Sequence, residues 1–147
     1  MLSAAKEPVR TTSDSRRILL IDDEETILAA VGGALERQGY VVDRASDLAS
    51  ARRALDDSGF DLVITDLCLS EAAAEEGLLV IEHAHAHCPQ TPIVVLTGYG
   101  SPQAEQEARQ RGARGFFSKS ERLVGLLGAV RALLGPVAPR NGGGREA

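Results

Sequence analysis

The sequence predicts an α/β fold in which a parallel β-sheet is covered by helices. Short apolar runs alternate five times with longer amphipathic segments between about residues 17 and 134. The chain of 147 residues has the size of one domain, and its 44% hydrophobic and 25% charged residues are ordinary for a globular protein. We therefore expect one hydrophobic core built around a single sheet.

Five apolar runs are predicted to be the strands. They are Ile18–Ile21, Val41–Arg44, Leu62–Thr65, Ile93–Leu96 and Gly115–Ser118. The first of them is apolar at every position, which indicates a buried strand.

The segments between the strands are predicted to be helices. The first begins at about Thr26 and ends at Gly39, which can take the left-handed conformation of a helix end. Ser46 is predicted to cap the second helix. The third runs from Leu78 to about His87 and is stopped by Pro89.

Two further helices follow. The fourth starts near Pro102, a good first-turn residue, and ends at Gly112. Its apolar stripe is thin and consists mostly of Ala104 and Ala108. The fifth covers Leu123–Leu134 and is rich in leucine.

The two ends of the chain differ in composition from the part between them. Residues 1–16 are polar without periodicity and are predicted to be a disordered lead, while residues 135–147 are rich in glycine and proline and are predicted to be a flexible tail or linker. Residues 17–134 form the predicted domain. The lead lacks the apolar centre of a signal peptide, and no apolar run approaches the roughly 20 residues that span a bilayer. We expect a cytoplasmic protein without membrane insertion.

Charge and cysteine content narrow the classes of partner. The formal net charge is −5 and the isoelectric point is about 5.2, so the chain has no basic stripe and direct nucleic-acid binding is disfavoured. The two cysteines, Cys68 and Cys88, lack metal-finger spacing and fit a reducing compartment. Proteins and small ions are the expected partners.

Polar side chains follow four of the predicted strands at the point where each strand ends. They are Asp22 and Asp23, Asp66, Thr97 and Lys119. In an open α/β sheet the carboxyl ends of the strands meet at one rim, where ligands bind. Two carboxylates about 5 Å apart there repel by on the order of 3 kcal/mol at an effective dielectric of 20. A hard divalent cation would offset this repulsion, and Mg²⁺ is the expected ion.

These five residues, with "LTGYG" and "GARGFFSK" around the last two, resemble the receiver domain of bacterial two-component response regulators. The resemblance implies a flavodoxin-like, doubly wound sheet of five parallel strands in the order 2-1-3-4-5 with five helices. It also implies that Asp66 accepts a phosphoryl group from a sensor histidine kinase or a phosphotransfer protein. The chain would then be a regulatory switch rather than an enzyme, although it assists its own phosphorylation and dephosphorylation.

The resemblance further implies a magnesium site. Asp23 would hold Mg²⁺ directly and Asp22 partly through water, together with Asp66 and the backbone carbonyl of Cys68. Phosphoryl transfer requires mainly in-line positioning and neutralisation of charge, which this ion can assist. An aspartate is already an anionic nucleophile, so no separate general base is needed.

The resemblance also implies which residues respond to phosphorylation. Thr97 would bond a phosphoryl oxygen after transfer, and Lys119 would pair first with Asp66 and then with the phosphoryl group. Phe116 lies where the family has its switch aromatic, and plain packing is an equal alternative. The signal would leave through the face formed by the fourth helix, fifth strand and fifth helix, to a downstream protein or to a homodimer formed on phosphorylation.

The sequence departs from the family pattern at several points. Ser120 follows Lys119 where the family usually has a proline after a cis bond, and the segment "LCLSEAAAEEG" after Asp66 lacks the common Met-Pro. Cys68 and Tyr99 occupy the positions that flank the approach of water to the acyl phosphate. Neither is an amide or carboxylate that orients water, so slow self-dephosphorylation is predicted.

Three alternatives stay open. The chain could be the receiver part of a longer regulator, or a receiver-like adaptor that is never phosphorylated. The third is an aspartate-nucleophile phosphohydrolase, which would need a second acid two residues after Asp66, where Cys68 stands.

His83 and His87 are four apart on a helix and could share a metal ion. No carboxylate is spaced along the sequence to complete a site with them, so a solvated helix face is predicted there.

Overall fold

The computed structural model describes residues 16–68, 76–98 and 100–135. Five parallel strands form one sheet in the order β2-β1-β3-β4-β5, and five helices alternate with them along the chain. This architecture confirms the predicted fold class. Residues 1–15 of the predicted lead, most of the tail, Tyr99 and residues 69–75 of the segment after Asp66 lie outside the described residues.

The element boundaries agree with the predicted ones to within one or two residues. The strands are β1 Arg17–Ile21, β2 Val41–Ala45, β3 Leu62–Thr65, β4 Ile93–Thr97 and β5 Gly115–Ser118. The helices are α1 Glu25–Arg37, α2 Leu48–Asp57, α3 Glu76–His87, α4 Pro102–Gln110 and α5 Leu123–Leu134.

The sheet has a hydrophobic cluster on each face, because successive side chains of a strand point to opposite sides. In β1, Leu19 and Ile21 belong to the cluster beneath α2, α3 and α4, whereas Ile18 and Leu20 belong to the cluster beneath α1 and α5. The strands β3 and β4 are buried at every position. The strands β1, β3 and β4 thus have apolar interiors, and their polar residues lie at their ends.

The helix ends confirm one prediction and correct another. Gly39 and Gly112 have φ angles of 104° and 127°, so both take the left-handed conformation expected where α1 and α4 end. The prediction that Ser46 caps α2 is wrong. Asp47 is the cap, because its carboxylate accepts the backbone N–H of Ser50 while the Ser50 hydroxyl lies within bonding distance of the Asp47 N–H.

Each strand carries the chain to the same rim of the sheet, and each helix returns it. The reversal of strand order falls between β1 and β3, so the residues that follow these two strands are neighbours. In the described ranges no helix is both long enough and apolar enough to span a membrane.

Candidate functional site

Asp66 follows β3 at the centre of the rim. Its side chain is only 2% exposed, and each of its two carboxylate oxygens accepts a hydrogen bond. Oδ1 accepts the backbone N–H of Leu67 at 2.7 Å, and Oδ2 lies 2.9 Å from Lys119 Nζ. Because the backbone N–H of Cys68 also lies 3.4 Å from Oδ1, three donors fix the carboxylate in one orientation.

Asp22 follows the neighbouring strand β1 and is equally buried. Its Oδ1 accepts the backbone N–H of Glu24 at 2.9 Å, and its Oδ2 lies 3.0 Å from Lys119 Nζ. Burial raises the pKa of Asp22 from 3.8 to about 6, and the nearby charge of Asp66 adds to that rise, although the hydrogen bonds from Glu24 and Lys119 oppose it. The two acids thus share one counter-ion and still repel each other.

Lys119 supplies that counter-ion from the end of β5. Burial favours its neutral form, but hydrogen bonds to Asp66 and Asp22 outweigh burial and raise the pKa of Lys119 above its usual 10.5. The predicted contact with Asp66 is present. The contact with Asp22, and a longer one of 3.4 Å to Glu24 Oε1, were not predicted from the sequence.

Ser120 does not prevent this placement of Lys119. Over the described ranges no peptide bond is cis, so the bond before Ser120 is trans. The Ser118 hydroxyl accepts the N–H of Ser120 at 3.1 Å and lies 2.7 Å from its hydroxyl, while the Lys119 N–H donates to the Thr97 carbonyl at 2.9 Å. A serine-bonded turn holds the lysine here without a proline.

The acidic residues fit a divalent cation. Asp22, Asp23 and Asp66 each offer a carboxylate oxygen, and these atoms lie within 4.8 Å of one another. Three carboxylates and one ammonium leave a formal charge of −2, and oxygen donors are what Mg²⁺ prefers. Asp23 is exposed, so it can reach an ion from the solvent side. Burial, with the charges of Asp66 and Asp23, raises the pKa of the Cys68 thiol, so the thiol stays neutral beside them.

Thr97 lies on β4, the strand next to β3, and Phe116 lies on β5, the strand beyond it. Thr97 is fully buried at the end of β4. Phe116 is half-buried and packs against the cluster beneath α2, α3 and α4. Gly100 lies between them, since a Cβ added there would be 3.1 Å from the Phe116 ring and 3.9 Å from the Thr97 methyl group. The two residues therefore flank one loop.

Gly77 has a role at the site that was not predicted from the sequence. It lies at the start of α3, and its N–H donates to the Leu67 carbonyl at 2.9 Å. A Cβ at this position would overlap the carbonyl oxygen of Asp66 and the backbone of Leu67. Only glycine allows α3 to pack so closely against the residues that carry the central acid.

A second group of possible ligands lies between α2 and α3. Both imidazoles of His83 and His87 contact the carboxylate of Asp56. The prediction that no carboxylate completes a site with these histidines is wrong, because Asp56 comes from a different helix and sequence spacing along α3 does not include it.

Comparison with known proteins identifies the family. The model of the response regulator receiver domain matches residues 18–131, so the chain belongs to this family. The alginate biosynthesis transcriptional regulatory protein AlgB of Pseudomonas aeruginosa is 35% identical over 112 residues, which are 76% of this chain and 24% of AlgB. The chain therefore spans about a quarter of the length of that relative.

Solved structures agree with this assignment. The crystal structure of a CheY-like receiver domain protein from Methanospirillum hungatei JF-1 has a TM-score of 0.74 at 27% identity, over 80% of this chain and 91% of that one. A response regulator from Burkholderia pseudomallei, with a phosphorylated aspartic acid, calcium ion and citrate, has a TM-score of 0.70 at 28% identity, over 84% and 76% of the two chains. Receiver domains are regulatory modules of two-component systems.

Proposed function

We propose that the chain is a phosphorylation switch that accepts a phosphoryl group on Asp66 from a phosphohistidine of a sensor kinase or phosphotransfer protein. The observation that carries the proposal is the position of Lys119, whose ammonium bonds the carboxylates of Asp66 and Asp22 at the carboxyl rim of the sheet. The phosphorylated aspartic acid of the Burkholderia pseudomallei regulator supports the same chemistry on this fold.

Each residue of the rim has its own role in the proposed phosphoryl transfer. A carboxylate oxygen of Asp66 forms the new bond to phosphorus as the phosphorus–nitrogen bond breaks, and the imidazole leaves with the nitrogen electron pair. Lys119 and the Thr97 hydroxyl stabilise the charge on the phosphoryl oxygens. Asp22, Asp23, Asp66 and the Cys68 carbonyl would hold Mg²⁺, which when bound neutralises further charge on the phosphoryl group.

The output is proposed to be a change in protein contacts. Thr97 and Lys119 move toward the new phosphoryl group, and they lead into β5 and the loop before α4. Of the described residues of α4 only Ala108 is fully buried, so this helix can repack at low cost. The face formed by α4, β5 and α5 is the proposed docking surface for a downstream protein or for a second copy of the chain.

Labelling by acetyl phosphate with Mg²⁺, or by a phosphorylated kinase, tests the proposal. Intact mass should show one phosphoryl group on the native protein and none on Asp66→Asn, while Asp57→Asn, which removes an exposed aspartate at the end of α2, should label normally. Labelling of Asp66→Asn would contradict the assignment. A native protein that takes no label from either donor would favour the phosphorylation-independent adaptor.

A further inference from the structure

Three side chains from two helices converge where α2 and α3 end. Asp56 Oδ1 lies 3.0 Å from His83 Nε2 and 3.2 Å from His87 Nε2. One oxygen and two imidazole nitrogens, all within 4.8 Å of one another, thus face a common point. Because helices of this fold run back antiparallel to the strands, this point is at the opposite end of the domain from Asp66.

The hydrogen bonding of His87 fixes which of its nitrogens carries a proton. Its Nδ1 lies 3.1 Å from the backbone carbonyl oxygen of His83. A carbonyl oxygen can only accept, so Nδ1 carries the hydrogen, and in the neutral ring Nε2 carries a lone pair. That lone pair faces the Asp56 carboxylate. A positive charge between the two atoms, either a proton or a metal ion, is needed to make this contact favourable.

The distances fit a metal ion. Tetrahedral zinc has Zn–N and Zn–O bonds of roughly 2.0–2.2 Å, which places neighbouring ligand atoms about 3.3–3.5 Å apart. The separations of 3.0 and 3.2 Å between Asp56 Oδ1 and the imidazole nitrogens are close to this value. Histidines four apart on a helix are a recurring zinc-binding pair. A bond from the other ring nitrogen to a backbone carbonyl, as in His87, is the usual outer contact of a ligating histidine.

The surroundings also suit a bound cation. The side chains of His83, His87 and Asp56 are 20%, 38% and 51% exposed, so an ion can enter and keep a water molecule as its fourth ligand. The two rings stack at 4.1 Å with an interplanar angle of 28°, which brings both Nε2 atoms to the same side. Both helices end here, at Asp57 and His87, and helix C-termini favour positive charge.

We propose that Asp56, His83 and His87 bind a divalent transition metal ion of the zinc type, which joins the end of α2 to the end of α3. Imidazole ligands favour zinc, nickel and copper over magnesium, whose preferred ligands are oxygen atoms. The site is thus chemically distinct from the acidic rim around Asp66. It does not depend on the proposed phosphoryl transfer.

Calorimetric titration with Zn²⁺ near neutral pH, in saturating Mg²⁺ so that the acidic rim is occupied, tests the proposal. We expect one Zn²⁺ per chain, with affinity lowered about tenfold or more in His83→Gln, His87→Gln and Asp56→Asn. His85→Gln is the matched control on the same helix, because the His85 ring lies against Gly112 and away from the site. Cys88→Ser controls for a thiolate ligand next to His87. Both controls should bind like the native protein.

Long-range ¹H–¹⁵N spectra of the native protein provide a second measurement that needs no variant. Zn²⁺ should shift the Nε2 resonances of His83 and His87 and leave those of His85 in place. The proposal is overturned if Zn²⁺ shifts no imidazole nitrogen. It is also overturned if affinity is unchanged in His87→Gln or is lost in Cys88→Ser. Absence of Zn²⁺ binding to the native protein overturns it as well.

Discussion

The ammonium nitrogen of Lys119 lies 3.0 Å from a carboxylate oxygen of Asp22, a contact that joins the end of β5 to the end of β1 across the two strands between them. The same nitrogen bonds Asp66, so one ammonium serves two buried acids. Because one positive charge cannot neutralise both acids and Asp23 as well, the rim is left with an excess of negative charge. The next two predictions follow from that excess.

In protein kept free of metal by a chelator, the contribution of Asp22 to stability should fall as pH rises from about 4 to about 6. Burial raises the pKa of Asp22 from 3.8 to about 6, so in this window the folded protein holds a proton that the unfolded chain has released. The resulting destabilisation is complete above the higher pKa and is on the order of 3 kcal/mol. The raised pKa of Lys119 acts only in alkaline solution.

Urea denaturation at several pH values, compared between the native protein and Asp22→Asn, isolates this contribution. The variant should lose less stability than the native protein over the window, because other acids contribute equally to both. Parallel pH profiles for the two proteins would show that Asp22 is not the titrating group.

Mg²⁺ should stabilise the unphosphorylated protein, because it relieves the repulsion among Asp22, Asp23 and Asp66. At 100 times its dissociation constant the ion should add about 2.7 kcal/mol to the free energy of unfolding. Asp23→Asn should weaken the affinity for Mg²⁺ and raise stability in chelator. Glu25→Gln removes an exposed charge two positions further on, outside the cluster, and should leave Mg²⁺ affinity unchanged. If removal of Mg²⁺ by a chelator left the melting temperature of the native protein unchanged, a cation site at these acids would be excluded.

Gly77→Ala should destabilise the fold by about 1–3 kcal/mol and slow phosphoryl acceptance, because the new methyl group overlaps the Asp66 carbonyl. Gly125→Ala is the matched control, since a Cβ at that position in α5 meets nothing within 4 Å. Alanine is the better helix former by about 1 kcal/mol, so the control should be stabilised. Thermal unfolding measures both variants. If the two variants were both stabilised or both destabilised, a special role for Gly77 would be refuted.

Beryllofluoride, which mimics a phosphoryl group, should change amide hydrogen exchange in α4, β5 and the start of α5. Phe116 and Thr97 flank Gly100, so movement of the threonine is passed to the aromatic ring and the helix that follows. Asp66→Asn should show no change with the same reagent. Changes confined to α1 and α2, or changes that persist in the variant, would argue against this output face.

The sequence by itself determined the sheet, its strands and the residues at its rim. Runs such as Ile18–Ile21 and Ile93–Leu96 are apolar at every position, which is typical of strands covered by helices on both faces, and the structure buries them fully. Parallel strands place their carboxyl ends on one edge, so Asp22, Asp66 and Lys119 were expected at the same rim. Their closeness also depends on the strand order 2-1-3-4-5, which the resemblance to receiver domains implied and the structure confirms.

Only the tertiary structure decided which side chains touch. Lys119 bonds Asp22 as well as Asp66, Gly77 packs against the Asp66 carbonyl, and Asp56 reaches His83 and His87 from another helix. Periodicity tells which face of a helix is buried, but the partner of an exposed side chain depends on how far two helices slide and rotate on the sheet. Those shifts are set by the packing of the whole core, which local sequence patterns do not contain.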